Sequence, residues 1–507
     1  MADKQPNILI VMVDQLAPAF LPIHGHRLVK APHLEALARE GIVFDSAYCN
    51  SPLCSPSRAV FMSGRLPSNS GVYDNAAEFR ADIPTYAHYL RNLGYRTILS
   101  GKMHFCGPDQ LHGFEERLTT DIYPADYGWT PDWDHPQERP DWYHNMSSVT
   151  QAGLCVRTNQ LDFDDEVVFT AERAIYDAAR SSDKRPFLLV ASLTHPHDPF
   201  AIPERYWRLY RDEDIDMPGP PVAPADLDPH SMRLRHVCAM DAQEISDAQI
   251  RDARHAYYGA ISYVDDNLGR LMEALRATEL ASDTIVIFLS DHGEMLGERG
   301  LWFKMNFFEG AARVPLVISA PRRFSPRRVS ASVSLVDLLP TLVDLAGGDS
   351  AALGSIDGRS LHGRLTGAGG HDEAIGEYLA EGAIGPIVMI RRGAWKFIHS
   401  PADPDQLYNL STDPSERDNL AMREEHGKRV AAFKAEIARR WDLAALDAHV
   451  RDSQRRRRIV DAALTKGEAH SWDFQPYRDA ARSYVRNTSV LDDLESMARF
   501  PPVAAPK

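Results

Sequence analysis

NILIVMVDQ (7–15) and DTIVIFLSDHGE (283–294) are runs of one kind: apolar, rich in β-branched residues, and stopped by a carboxylate, Asp14 in the first and Asp291 in the second. Neither run alternates with polar residues, so each reads as a strand buried on both faces. Four more short runs, 41–44, 96–99, 187–192 and 314–319, have the same character. Helical patterns separate them, such as 165–179 and 261–275, the latter with Ile261, Val264, Leu268, Leu271 and Leu275 on one face. Strands alternating with helices predict an α/β fold with a large, mainly parallel sheet covered on both faces. In open α/β sheets the ligand crevice lies at the carboxyl ends of the strands. Asp14, Lys102, His195 with His197, and Asp291 with His292 follow four of these strands, so polar groups from distant segments should meet at one edge.

The 507 residues allow a catalytic α/β domain over 1–350, a smaller α+β subdomain over 351–450 and a C-terminal extension over 451–507. In the second unit, 387–391 and 395–399 read as a hairpin across Arg392-Gly393, followed by a helix over 425–441. The stretch 121–145 is dense in Trp, Tyr and Pro without a period, the mark of a long structured loop of the functional kind. The extension carries the basic run Arg455 to Arg458 and the aromatics Trp472, Phe474, Tyr477, Tyr484 and Phe500. A net charge of -15 and a pI near 5.7 argue against nucleic acid or an anionic membrane as the main partner. The apolar run ending at Asp14 is too short for a secretory signal, no stretch is apolar enough to span a bilayer, and five cysteines make no disulfide framework. The expected location is cytoplasmic and reducing.

Cys54-Ser55-Pro56-Ser57-Arg58, continuing as AVFMSGR to Arg65, resembles the Cys-x-Pro-x-Arg signature of the sulfatases, formylglycine-dependent members of the alkaline-phosphatase-like superfamily. The resemblance implies an α/β/α sandwich and a Cys54 oxidised to formylglycine (3-oxoalanine) by a maturation enzyme. The chemistry suits a sulfate ester, a poor electrophile at a crowded centre. A gem-diol on a divalent metal is a strong oxygen nucleophile, because the cation lowers the pKa of the bound hydroxyl. Its second hydroxyl lets the sulfated intermediate collapse to the aldehyde with loss of sulfate. By the same resemblance the metal ligands are Asp14, Gln15, Cys54, Asp291 and His292. Oxygen-rich donors suit Ca²⁺ first, with Mn²⁺ compatible because a histidine is present. The commonest sulfatase pattern has a second Asp and an Asn here; Gln15 with His292 looks like the subgroup of choline-sulfatases and phosphonate monoester hydrolases.

Gly-Lys102-Met-His104, His197 in HPHDP and Lys304 in GLWFKMNFF match the family's cationic positions. The resemblance gives Arg58 and Lys102 the formylglycine hydroxyls, His104 the role of base, and His197 with Lys304 the sulfuryl group and the protonation of the leaving alcohol. His195 receives no role. Taken singly, a cysteine in a Pro-rich loop is an inert thiol and each Lys or His a surface charge; the assignment rests on the set occurring together. GVYDNAAEF with Asn75, GKMHFCGPDQLHGFEERL and the 121–145 loop resemble choline-sulfatases more narrowly. A quaternary ammonium cannot hydrogen-bond and is recognised by aromatic faces and a carboxylate. By that likeness Asn75, Trp129, His144 and Asn145 line the pocket and Glu381 supplies the counter-charge, the other aromatics of the loop serving to pack it. The expected activity is hydrolysis of choline-O-sulfate. The alternatives are a phosphonate monoester hydrolase, phosphodiesterase or arylsulfatase on the same site, and a non-catalytic binding protein with an unmodified Cys54. A homodimer or homotetramer, with the extension reaching to a neighbouring protomer, is the expected assembly.

Overall fold

The computed structural model of the chain describes residues 5–223, 226–320, 322–467 and 490–501. Trp472, Phe474, Tyr477 and Tyr484 lie outside the described residues. In chain order the strands are β1 (Asn7–Val13), β2 (Ile42–Tyr48), β3 (Arg96–Gly101), β4 (Glu116–Arg117), β5 (Gly153–Cys155), β6 (Phe187–Ser192), β7 (Ala201–Pro203), β8 (Thr284–Ser290), β9 (Arg313–Ser319) and β10 (Arg327–Ser334). They are followed by β11 (Ala374–Tyr378), β12 (Ile387–Arg392), β13 (Trp395–Ser400) and β14 (Asp403–Asn409).

Eight strands form one sheet in the order β10-β2-β9-β8-β1-β6-β3-β4. All six runs read from the sequence are in it. Every neighbouring pair is parallel except those of β9, which runs against both β2 and β8. The reversal has a local cause: after β8 the chain stays at the carboxyl edge through residues 291–312 and re-enters the sheet from that edge. β2 runs past its apolar start because a register shift between Phe44 and Ala47 absorbs Asp45 and Ser46. β10 escapes a reading by apolar runs, since RRVSASVS places small and polar residues on an edge strand.

Strands β1 and β8 are buried along their whole length, which explains their lack of alternation. The helices Asn159–Arg180 and Asp247–Ala277 contain the two patterned segments and bury Ile261, Val264, Leu268, Leu271 and Leu275 against the core. The hairpin is β12 with β13, the centre of the antiparallel sheet β11-β12-β13-β14. That sheet is pinned to the larger unit by Lys396, whose buried ammonium donates to the carbonyl of Phe307 at 2.8 Å and pairs with Glu309 and Glu416. The helix Leu443–Leu464 runs across residue 450 and buries Leu446, Val450, Gln454 and Arg457. Among the described residues no helix is long and apolar enough to cross a membrane.

Candidate active site

Four parallel neighbours, β8, β1, β6 and β3, end at one edge of the sheet. Opposite those ends the helix Cys54–Ser63 begins, buried throughout. Leu53 offers it no side-chain cap; the Oδ1 of Asn75 accepts the Ser55 N–H at 2.9 Å instead. The five-residue signature makes sense on a helix, because position i+4 returns to the face of position i. Arg58 therefore points where Cys54 points. Its Nε donates to Asp291 Oδ2 at 2.8 Å and its Nη2 to Asp14 Oδ2 at 2.9 Å.

With those outer oxygens engaged, the inner ones converge. His292 Nε2 stands 3.6 Å from Asp14 Oδ1, 3.8 Å from Asp291 Oδ1 and 3.2 Å from Cys54 Sγ. Asp14, Cys54, Asp291 and His292, all buried, bring ligand atoms within 4.8 Å of one another. His292 Nδ1 faces the Gly293 carbonyl at 3.0 Å, which keeps the proton on Nδ1 and the Nε2 lone pair toward the cluster. Gln15, held in the left-handed region at φ 64°, adds an amide whose Nε2 donates to Glu294 and Asp198, so that its Oε1 faces Lys304. Two carboxylates and an imidazole nitrogen around Cys54 are a donor set that fits one divalent cation, while the Gln15 Oε1 accepts from Lys304. Burial by itself would raise the Asp14 carboxyl; Lys102, His197 and Arg58 override it and hold it well below the ordinary carboxylate range. Burial and the neighbouring Asp14 push the Cys54 thiol up to about 12, so the unmodified side chain stays protonated at neutral pH.

The cationic residues close over this floor. At the end of β3, Gly101 has φ 111°, and a Cβ there would lie 2.0 Å from the Ser192 carbonyl oxygen, so only glycine lets the chain turn and deliver Lys102. The Lys102 ammonium pairs with Asp14 and sits 4.0 Å over the Tyr123 ring. His104 is left-handed at φ 56°, and its backbone N–H donates to Asp121 at 2.8 Å. Both its ring nitrogens are buried without a hydrogen-bond partner among the described residues, and burial with Lys102 lowers its pKa to about 3. Lys304 arrives on the 291–312 excursion between left-handed Phe303 and Met305 and donates to His197 Nε2 at 2.8 Å. His197 passes its Nδ1 hydrogen to the Asp198 carbonyl at 2.7 Å. Burial and Lys304 keep His197 neutral, whereas the neighbouring anionic groups, Asp198 and Asp14 among them, outweigh burial at Lys304 and hold its pKa above the ordinary value. His195 is tied to Asp164 at 2.7 Å and serves the fold.

Of the loop aromatics, Tyr123, Trp133 and Tyr143 are buried, and Trp133 Nε1 donates to the Ala380 carbonyl at 3.0 Å. Trp129 is half-buried, its ring 5.6 Å from those of His104 and Tyr123. His144 stacks on Phe303 at 4.6 Å, and Asn145 donates to Asp492. Glu381 follows Ala380 and is buried, with its Oε2 unpartnered among the described residues and its pKa pushed up to about 7 by burial. Asn75 is at the site's margin, committed to Ser55 and, through its carbonyl, to the Cys106 thiol at 3.1 Å. Sequence reading missed Asp121, Asp198, Glu294, Asp492 and Glu495. Glu294 stood in the quoted LSDHGE run; the two tail carboxylates had no local signal.

Residues 6–348 match the family model described as Sulfatase, 297–442 that of N-sulphoglucosamine sulphohydrolase, C-terminal, and 448–500 that of Choline sulfatase enzyme C terminal. The chain is 48% identical to a Choline-sulfatase of Rhizobium meliloti (strain 1021), over 99% of each chain. Its identity to the Iduronate 2-sulfatase of Homo sapiens is 31%, over 67% of this chain and 69% of that one. Among solved structures, the phosphonate monoester hydrolase of Agrobacterium radiobacter superposes with a TM-score of 0.68 at 25% identity, covering 88% of this chain and 96% of that one. The alignments and the geometry agree: the chain belongs to the sulfatase family and is a sulfuric ester hydrolase.

Proposed function

We propose that the ester is choline-O-sulfate, hydrolysed to choline and sulfate. The observation that carries this reading is Glu381, a buried carboxylate with an unpartnered oxygen beside the aromatic loop. A trimethylammonium head brings positive charge without an N–H, so its counter-charge should be a carboxylate that the protein itself leaves without a donor, next to an aromatic face. Trp129 supplies the face. Asp492 and Glu495, on the described end of the extension, bring further acidic groups to the loop and to the helix Asn159–Arg180: Asp492 accepts from Asn145, and Glu495 accepts from Gln160 at 2.5 Å. The full-length likeness to a protein named Choline-sulfatase supports the same substrate.

Asp14, Gln15, Asp291 and His292, with the modified Cys54, would hold a divalent cation, Ca²⁺ before Mn²⁺, which would activate a formylglycine hydroxyl for attack on sulfur. Arg58 and Lys102 fix the carboxylate and hydroxyl positions of that floor. Lys304 carries a proton at neutral pH and gives it to the leaving choline oxygen, with neutral His197 beside it to share the sulfuryl oxygens. His104, neutral and free at both nitrogens, accepts the proton whose removal releases sulfate.

The assembly belongs to the same proposal. The segment 490–501 docks through Phe500, which bridges Arg157, and through Arg499, which donates to the carbonyls of Gln151 and Leu154. The same contacts would serve an arm exchanged within a homodimer or homotetramer. Five buried cysteines, all unpaired, fit a reducing cytoplasm. The test uses protein co-expressed with a formylglycine-generating enzyme, its residue 54 checked by mass spectrometry for exchange of one sulfur and two hydrogens for one oxygen. The kcat/KM for choline-O-sulfate should exceed those for an aryl sulfate and a phosphonate monoester, and light scattering should lose the oligomer when 465–507 is deleted. Better turnover of either other ester would overturn the substrate; an unchanged assembly state would overturn the arm.

A further inference from the structure

The basic run of the C-terminal extension finds its partners in the aromatic loop. On the helix Leu443–Leu464, Arg451, Gln454, Arg455 and Arg458 lie on one stripe at i, i+3, i+4 and i+7. Gln454 Oε1 accepts the Trp133 N–H at 2.9 Å, and Arg451 donates to the Trp133 carbonyl at 2.6 Å and to the Ile384 carbonyl at 2.8 Å. Arg455 makes a two-pronged pair with Asp134 at 2.6 and 2.8 Å, and Arg458 pairs with Asp132. One helix thus grips both the loop bearing Trp129 and the turn bearing Glu381.

Arg457 goes deeper. It donates to both oxygens of Asp74, at 2.7 and 2.6 Å, and to Thr130 Oγ1 at 3.1 Å; Asp74 is 0% and Arg457 7% exposed. Thr130 is the residue after Trp129. Asp74 precedes Asn75, whose side chain caps the helix that begins at Cys54. A guanidinium in this two-pronged geometry fixes direction as well as distance, which an ammonium would not.

We propose that Arg457 and Asp74 are specificity-determining positioning residues: their buried pair is the joint that sets the cation-binding wall at a fixed distance from Cys54. This rests on the choline reading, because what the joint sets is where an ammonium head falls when the sulfuryl group is over the floor. Neither residue meets the reacting atoms, so loosening the joint should blur substrate choice before it impairs chemistry.

The test compares Arg457→Met and Arg457→Lys with the unaltered mature enzyme. Arg457→Met should raise KM for choline-O-sulfate about tenfold or more, leave kcat within threefold, and change kcat/KM for an aryl sulfate less than threefold. Arg457→Lys, which keeps the charge and loses the fork, should fall between them and carries the test if the methionine variant does not fold. Hydrogen exchange, which needs no substrate, should quicken in peptides spanning 121–145 and stay unchanged in those spanning β1 and β8. Equal losses on both esters would make the pair merely structural, and unchanged exchange in the loop would dispose of the joint. Failure of the substrate reading would show differently, as an unaltered enzyme that does not prefer choline-O-sulfate, with the exchange result still deciding the joint.

Discussion

Asp14, Lys102 and Asp291 stand just past the ends of strands, Arg58 sits one turn into a helix, and all four are fully buried in mutual ion pairs. Trp129, His144 and Asn145 belong to a loop without strand or helix, partly exposed, and held from outside by a helix more than three hundred residues later. The floor is rigid because its supports are the sheet itself; the wall is only as well placed as its side-chain anchors. The difference separates two tasks. Attack on sulfur tolerates little misplacement and is built on strand ends; under the proposed choline reading, recognition of the alcohol falls to a loop and its tether, which can change without touching the floor.

Breaking the floor should have the largest effect. Asp291→Ala is expected to lose metal and activity together, by several orders of magnitude on every ester, since it removes a ligand and leaves the buried Arg58 Nε without its acceptor while Asp14 keeps the Nη2. Removing one partner of a buried pair should also cost about 3–5 kcal/mol of stability. Metal content and thermal unfolding check both parts, and stoichiometric metal in the variant would contradict the assignment. Breaking the wall should be gentler and selective: Trp129→Ala should weaken choline-O-sulfate by about 1–2 kcal/mol, seen in KM, and an aryl sulfate much less. Equal losses would make Trp129 a packing residue.

The smallest effect is a titration. Burial raises the Glu381 carboxyl to about 7, so lowering the pH through that value protonates it and removes the negative charge that attracts the ammonium. The ratio of kcat/KM for choline-O-sulfate to that for an aryl sulfate should therefore fall a few-fold from about pH 8 to pH 6, shared steps cancelling in the ratio. Glu381→Gln should flatten the ratio at its lower, acidic level. A ratio independent of pH in the unaltered enzyme would remove Glu381 from the pocket.

The sequence by itself determined the strands and the floor, because both are local facts. An apolar run ending in a carboxylate is a buried strand that delivers a polar group to the crevice, and a five-residue signature is one helical turn. Asp14, Lys102, Asp291 and His292 were legible for that reason, as was the hairpin at Arg392-Gly393, whereas Cys54, Arg58 and Lys304 were found through their resemblance to the sulfatase motifs. Tertiary structure alone decided the reversal of β9, the placing of Asn75 on the Ser55 N–H, and the arrival of Asp492 at Asn145 and of Glu495 at Gln160. It also decided where Arg451 to Arg458 reach. In sequence Arg455 to Arg458 were a basic run without a partner in view; in the fold Arg457 meets Asp74 across 383 residues of chain. No local periodicity encodes such a pair, because its energy exists only when the two desolvated groups meet, and folding alone brings them together.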